Sequence, residues 1–526
     1  MLALLFCWVI TPEIGCGFSF RTSEGVDQRY VFAHWVVPMW YDPVSEYIIN
    51  NYTALIVDDI NALMEAGIDG LTYDCFGSST QLDYCGAVVN GWSQIADAMG
   101  ATNFKVFISF DMSGSTATHP PTNLPAEALV ASMLAIVNNT HYFKVDGKPV
   151  LTTYSGQVLG NSWWNESVIQ PLLKAGMAIQ FVPNFDRNNT NGGSDSIATY
   201  RRVVAEFPSI QGAFNWLAPA APPFYPSDSG NIGENYWYSL LDYNSNYATA
   251  LSEAGKFYLW PVMPTNYDEC HSARQYTETK GGLGLANQWE AIMGNLSLAP
   301  VVYLLTWNDY TEGTFFSPTT FDPLPTEAHG GQTLQHIGYY ELQKYFIFWF
   351  KNQFRPFITR DAVFFFHRLQ PVAANASNDT CPIHQPGPPG KGSQIWGDLG
   401  NEIYITTALT SPATLLVISG GHSSSYSVPA GLSTISTPFN SGTQEILLRR
   451  GGTTIFEVFS AAITANPKTY NYNVYSGYYV DGGDNSDSWQ PGSRWQSGFT
   501  ASWFSSSPPS NSTTVASAAS RSFVKC

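Results

Sequence analysis

The chain has 526 residues, 15% of them aromatic and only 12% charged, and a formal net charge of −17. That length exceeds one small core and predicts two domains, while the acidic balance excludes nucleic acid or an anionic membrane surface as a partner. Many rings and few charges fit a protein that handles carbohydrate, whose apolar faces stack on aromatic side chains.

The first ten residues, MLALLFCWVI, are apolar and read as part of an incomplete leader over residues 1–20. The run is too short to span a membrane. Seven cysteines are present: Cys7, Cys16, Cys75, Cys85, Cys270, Cys381 and Cys526. None sits in a CxxC or Cys/His zinc spacing, so no metal site is expected. Cys75 and Cys85, ten apart around a loop, are the candidate disulfide. Sequons start at Asn51, Asn138, Asn165, Asn188, Asn295, Asn375, Asn378 and Asn511. With the cysteines they point to a secreted eukaryotic glycoprotein.

In chain order, short apolar runs alternate with amphipathic stretches. Strands are predicted at Arg29–Pro38, Ile68–Gly77, Phe104–Ser113, Lys148–Gly156, Met177–Asp186, Ser209–Trp216, Lys256–Pro264 and Val301–Trp307. Between them lie helical patterns at Tyr52–Ala66, Gly91–Met99, Pro125–Val137, Val168–Ala175, Ser196–Phe207 and Tyr236–Glu253; Ser272–Gly294 carries a helix that includes Gln288, Trp289 and Glu290, and Leu334–Asn352 closes the series. The first helix shows Leu55, Ile56, Ile60, Leu63 and Met64 on one face. Eight strand-then-helix units predict a (β/α)8 TIM-type barrel over residues 21–358.

From Val363 the pattern changes to short strands between turns: Val363–His367, Glu402–Ala408, Ala413–Ser419, Gln444–Arg449, Thr454–Ala461 and Tyr470–Ser476. This predicts a C-terminal antiparallel β-sandwich over residues 359–481. The run LLVIS, Leu415–Ser419, is expected to be buried on both faces. Residues 482–526 form a Ser- and Trp-rich tail. In it Trp489, Trp495 and Trp503 read as packing rings before sugar-stacking ones.

The chemistry concentrates in Ala299–Thr314, APVVYLLTWNDYTEGT. An apolar strand ends abruptly in an amide, two carboxylates and two aromatics. Catalytic groups of parallel α/β folds sit at the carboxyl ends of strands. Two acids beside rings suit a sugar, which the rings stack and the acids protonate and deprotonate. The other strand ends add His34, Asp74, Asp111, Tyr154, Asn184, Asp186, Asn215 and Trp216 to the same face. Any one Asp taken alone reads better as a loop N-cap; four strands ending in carboxylates do not.

These motifs resemble glycoside hydrolase family 71, the fungal α-1,3-glucanases or mutanases. The resemblance is carried by VFAHWVV, DINALMEAGIDGLTYD, FKVFISFDMS, GKPVLTTYSG, NFD and TWNDYTEGT, in order from Arg29 to Phe366. Members commonly read WNDYGES at the last motif. Here Thr311 replaces the glycine, and both acids stand.

The resemblance implies a secreted, cell-wall-directed hydrolase that cuts α-1,3-glucan internally with inversion, acting as a monomer and needing no cofactor. It implies Asp309 as general base and Glu312 as general acid, an assignment that the sequence leaves reversible. Asp74, Asp111 and Asp186 would bind hydroxyls or tune those acids. His34, Tyr154, Asn184, Trp216, Trp307 and Asn308 complete the expected substrate-binding set. Two rival readings are a glycosidase on another polysaccharide such as mannan, and a wall-binding protein without turnover.

Overall fold

The computed structural model describes residues 21–22, 25–26, 28–36, 42–77, 81–116, 119–184, 196–216, 231–232, 235–268, 274–310, 312–318, 334–374, 376, 393–396, 400–468, 470–482 and 502–508. All eight predicted N-terminal strands form. They are β1 Tyr30–Trp35, β2 Gly70–Cys75, β3 Lys105–Asp111, β4 Lys148–Tyr154, β5 Gln180–Pro183, β6 Gly212–Phe214, β7 Phe257–Val262 and β8 Val301–Leu304. They pair in parallel in one curled sheet in the order β5-β4-β3-β2-β1-β8-β7-β6. Its two end strands approach each other. A parallel bridge joins Asn184 to Phe214, and the Gln211 N–H donates to the Phe181 carbonyl at 2.8 Å.

Nearly every position of these strands is buried, as a parallel sheet covered by helices requires. The helices are α1 Asp42–Glu65, α2 Tyr84–Ala98, α3 Ala126–Ala135, α4 Gln170–Lys174, α5 Ile197–Glu206, α6 Asn235–Glu253, α7 Gly282–Gly294 and α8 Ile337–Asn352. On α1, Ile56, Ile60 and Leu63 are buried one turn apart, whereas Met64, expected on that face, is 47% exposed. Ser196 caps α5, its Oγ accepting from the Thr199 N–H at 3.4 Å.

The helix expected within Ser272–Gly294 forms at Gly282–Gly294 and includes Gln288, Trp289 and Glu290. Ahead of it Arg274–Thr277, a strand antiparallel to Asn266–Asp268 and parallel to Ser393–Trp396, went unpredicted. The polar strands β12 His422–Val428 and β13 Gly431–Pro438 went unpredicted because their side chains show almost no apolar alternation.

The C-terminal region forms two four-stranded antiparallel sheets. One has the order β13-β10-β9-β16, with β9 Ala362–Arg368, β10 Glu402–Leu409 and β16 Val474–Val480. The other has the order β12-β11-β14-β15, with β11 Ala413–Ser419, β14 Gly442–Arg450 and β15 Thr453–Ile463. Val363, Phe365, Ile403 and Ile405 meet Leu415, Val417, Ile446 and Leu448 between the sheets. The strands buried on both faces are therefore β9 and β10, not LLVIS, which alternates between buried and partly exposed residues. Phe364 and Phe366, on the other face of β9, join the core of the curled sheet and its helices.

The two regions are tied by polar contacts as well. Arg368 pairs with Glu278 at 2.6 Å, both fully enclosed. Gly338 of α8 crosses β16 so closely that a Cβ there would lie 2.7 Å from the Gly477 carbonyl oxygen. Trp503 is a packing ring, stacked on Tyr345 at 5.2 Å; Trp489 and Trp495 lie outside the described residues. The predicted Cys75–Cys85 disulfide is formed. Breaking a buried ion pair by removing one partner costs about 3–5 kcal/mol. Glu278→Gln is accordingly expected to lower the unfolding free energy by that order, read as a reduced urea midpoint.

Candidate active site

Side chains alternate along a strand, so β1 sends Phe32 and His34 to the inner side of the curled sheet and Trp35 to the helix side. The inner rings of Phe32, Phe107, Phe143 and Phe214 pack edge to face and tilted, at 4.6–5.7 Å for the three that touch one another. Tyr303 of β8 lies 5.0 Å from Phe214 and ends that apolar floor. Its hydroxyl sits 2.5 Å from His34 Nδ1.

On this floor stand the acids. Asp74 ends β2 and Asp111 ends β3, while Asp309 follows β8 in the turn after Leu304. Asp74 Oδ1 lies 3.5 Å from His34 Nε2, and neither atom has a hydrogen-bond partner among the described residues. Burial pushes the Asp74 carboxyl well above its ordinary range, and the charge of Asp309 pushes the same way. Burial and then Asp74 raise Asp111 to about 7, partly opposed by the Ser113 N–H that Asp111 accepts at 2.7 Å. Burial also lowers His34 to about 3, so its imidazole is neutral. The structure thus gathers His34, Asp74, Asp111 and Asp309 into one electrostatic group.

The turn after β8 is tightly made. Asp309 N–H donates to Thr306 Oγ1 at 2.9 Å, and Asp309 Oδ1 accepts the Glu312 N–H at 3.0 Å. The capping role weighed from sequence is real for one oxygen of Asp309. The Glu312 carbonyl accepts the Tyr267 N–H at 2.7 Å, which ties the turn to the hairpin that follows β7. Both side chains are partly exposed. Trp216 stands edge-on to His34 at 4.8 Å and to Tyr154 at 5.1 Å, and forms an aromatic wall with them.

Other expected residues point elsewhere. Trp307 does not offer its ring to the site: it is fully buried, and its Nε1–H donates to Asp59 of α1 at 2.8 Å. Asn308 uses both ends of its amide on the backbone of Val36, at 2.7 and 3.0 Å. Asn184 donates to the Phe214 carbonyl at 3.2 Å and serves the seam between β5 and β6. Asn215 donates to Tyr258 and Asn244, toward α6. Asp186 lies outside the described residues.

The profile of glycosyl hydrolase family 71 matches residues 27–488. The chain belongs to this family. As a family 71 protein it is 24% identical over 466 residues to a glucan endo-1,3-alpha-glucosidase of Schizosaccharomyces pombe, covering 85% of this chain and 94% of that one. It is 25% identical over 476 residues to a mutanase of Penicillium rubens, covering 88% and 92%. Among solved structures, a GH99 endo-alpha-mannosidase from Bacteriodes thetaiotaomicron matches 62% of this chain and 98% of its own at 14% identity and a TM-score of 0.42.

Sequence reasoning passed over two members of this family 71 site. Tyr303 was read as core because it sits inside VVYLL; it is the hydroxyl in an otherwise aliphatic run, the signal that it has a polar partner. Asp59 is hidden in a helix and has no local signature. A cleft of about 500 Å³ lies at the opposite ends of the strands, by Gly67 and Trp503. Its cations are already paired, Lys344 with Glu65 and Glu341, Lys351 with Asp69.

The acid cluster links the site to stability. Folded Asp111 holds its proton to about 7, whereas its ordinary value is 3.8. The folded state therefore binds more protons across that window, and stability falls as pH rises through it. Asp111→Asn removes this term. The variant is expected to resist urea better than the wild type near about pH 7, with the difference closing toward about pH 4. His34 contributes in the opposite direction, losing stability as pH falls from 6.5 toward about 3.

Proposed function

We propose that the protein is a secreted endo-hydrolase of α-1,3-glucosidic bonds in fungal cell-wall glucan, and that it works with inversion. The observation that carries the chemistry is the cluster of Asp74, Asp111 and His34 around Asp309 at the carboxyl ends of the parallel strands. Membership of glycosyl hydrolase family 71 and the names of the relatives give the reaction and the polymer. A third relative, an ascus wall endo-1,3-alpha-glucanase of Schizosaccharomyces pombe, is 23% identical over 305 residues and gives the wall as the setting. We read the curled sheet as a closed (β/α)8 barrel, supported by the bridge between Asn184 and Phe214.

In this reading Asp309 is the base that activates water and Glu312 is the acid that protonates the leaving oxygen. An inverting pair stands about 6.5–9.5 Å apart, leaving room for that water. The polar ends of Asp74 and His34, unpartnered in the cluster, suit a sugar hydroxyl, and Asp74 and Asp111 in their neutral forms donate to it. Trp216 and Tyr154 offer faces for ring stacking. The disulfide, the sequons and the apolar first residues support passage through an oxidising secretory route. Among the described residues no helix is long and apolar enough to cross a membrane.

Two measurements test this. Asp309→Asn and Glu312→Gln are each expected to fold and to release reducing ends from insoluble α-1,3-glucan about 10²–10⁴-fold more slowly than wild type; normal rates from both would refute the assignment. With the wild-type protein, NMR of the first products is expected to show the β-anomer. Initial α-anomer would mean retention and would overturn the roles of both acids, and release from mannan alone would overturn the substrate.

A further inference from the structure

We propose that Asp59 is a positioning residue for the reaction: by accepting from the indole N–H groups of Trp35 and Trp307 it fixes the turn that carries Asp309. The inference rests on the reading of Asp309 given above.

Asp59 stands in the helix layer and is 6% exposed. Its Oδ2 accepts from Trp35 Nε1 at 3.0 Å and its Oδ1 from Trp307 Nε1 at 2.8 Å. Each oxygen therefore holds a ring from a different strand end, Trp35 closing β1 and Trp307 following β8. Packing alone does not call for a carboxylate there. An apolar side chain of similar volume fills such a space without the cost of burying a charge.

What the two rings control is the site. Trp35 is the outward neighbour of His34, and Trp307 precedes Asp309 by two residues. The Trp307 N–H donates to the His34 carbonyl at 2.6 Å, and Asn308 clasps Val36. Thr306, on the other side of Trp307, accepts from the Asp309 N–H. The loop can keep these contacts only while the Trp307 ring stays in place. The ring is fully buried and Tyr340 lies edge-on to it at 6.4 Å. To that packing the bond to Asp59 adds a short, directional contact that fixes how the ring is turned.

The test uses the full chain with soluble α-1,3-gluco-oligosaccharides and compares Asp59→Asn, Trp307→Phe, the double variant and Asp309→Asn. Trp307→Phe keeps a ring but loses the indole N–H and part of a buried side chain, so its kcat is read per folded molecule and it tests the clamp even if Asp59→Asn fails to fold. The expected result for Trp307→Phe is a kcat reduced about 10- to 100-fold, the effect of a small misplacement of a reacting group. KM is expected within about two-fold of wild type, and the thermal midpoint falls with the volume lost while the folded fraction stays measurable. The double variant is expected to be no slower than the slower single one, as for two halves of one interaction. In spectra of selectively labelled tryptophan, Asp59→Asn is expected to shift two indole N–H signals. Full kcat in Trp307→Phe while Asp309→Asn is inactive would overturn the clamp alone. Full kcat in Asp309→Asn would overturn the role of Asp309 and the clamp with it. A loss of kcat matched by an equal loss of folded protein would reduce Asp59 to a structural role and so overturn the proposal.

Discussion

The first strand of the sheet has to meet the last, and the molecule depends on how that meeting is made. Residues 30–36 and 301–308 are separated by most of the chain's first region, yet β1 and β8 are neighbours in the sheet. Beyond the last ladder bond the contact continues through side chains and backbone: the Trp307 N–H to the His34 carbonyl, Asn308 to Val36, and Asp59 to both indoles. The same contacts place His34 and Asp309 side by side. Structure and chemistry use one joint.

That joint also sets an electrostatic cost. Three carboxyls and an imidazole share a space floored by aromatic rings, where water solvates little. The groups respond by holding their protons or giving them up: Asp74 and Asp111 upward, His34 downward. Such a cluster destabilises the charged forms at neutral pH and stocks the site with neutral donors. It makes sense for a reaction that moves protons at mildly acidic pH, and little sense for a surface loop. The buried pair Arg368–Glu278 and the double-faced strand β9 fasten the antiparallel sheets to α7 and α8.

Most of the elements were legible because their periodicity is strong. Eight apolar runs became eight parallel strands, and their polar ends brought His34, Asp74, Asp111 and Asp309 together, as position at the carboxyl end of a strand predicts. Legibility failed where direction mattered. Trp307 and Asn308 were assigned to the site from the company they keep in the sequence, but each faces away and holds the backbone. The short, mostly polar strand Arg274–Thr277 and the Ser-rich strands β12 and β13 went unread because they carry almost no apolar pattern.

The sequence by itself determined the kind of fold, the family and the strand ends that bear acids. Those properties follow from hydrophobic spacing and from motifs, which are local. Only the tertiary structure decided that Tyr303 supports His34, that Asp59 grips two indoles, that β9 rather than β11 is buried on both faces, and that Trp307 is a handle rather than a platform. Each of these turns on which way a side chain points and what stands opposite it. A hydrogen bond between residues 248 positions apart, such as that from Trp307 to Asp59, leaves no trace in either residue's neighbourhood.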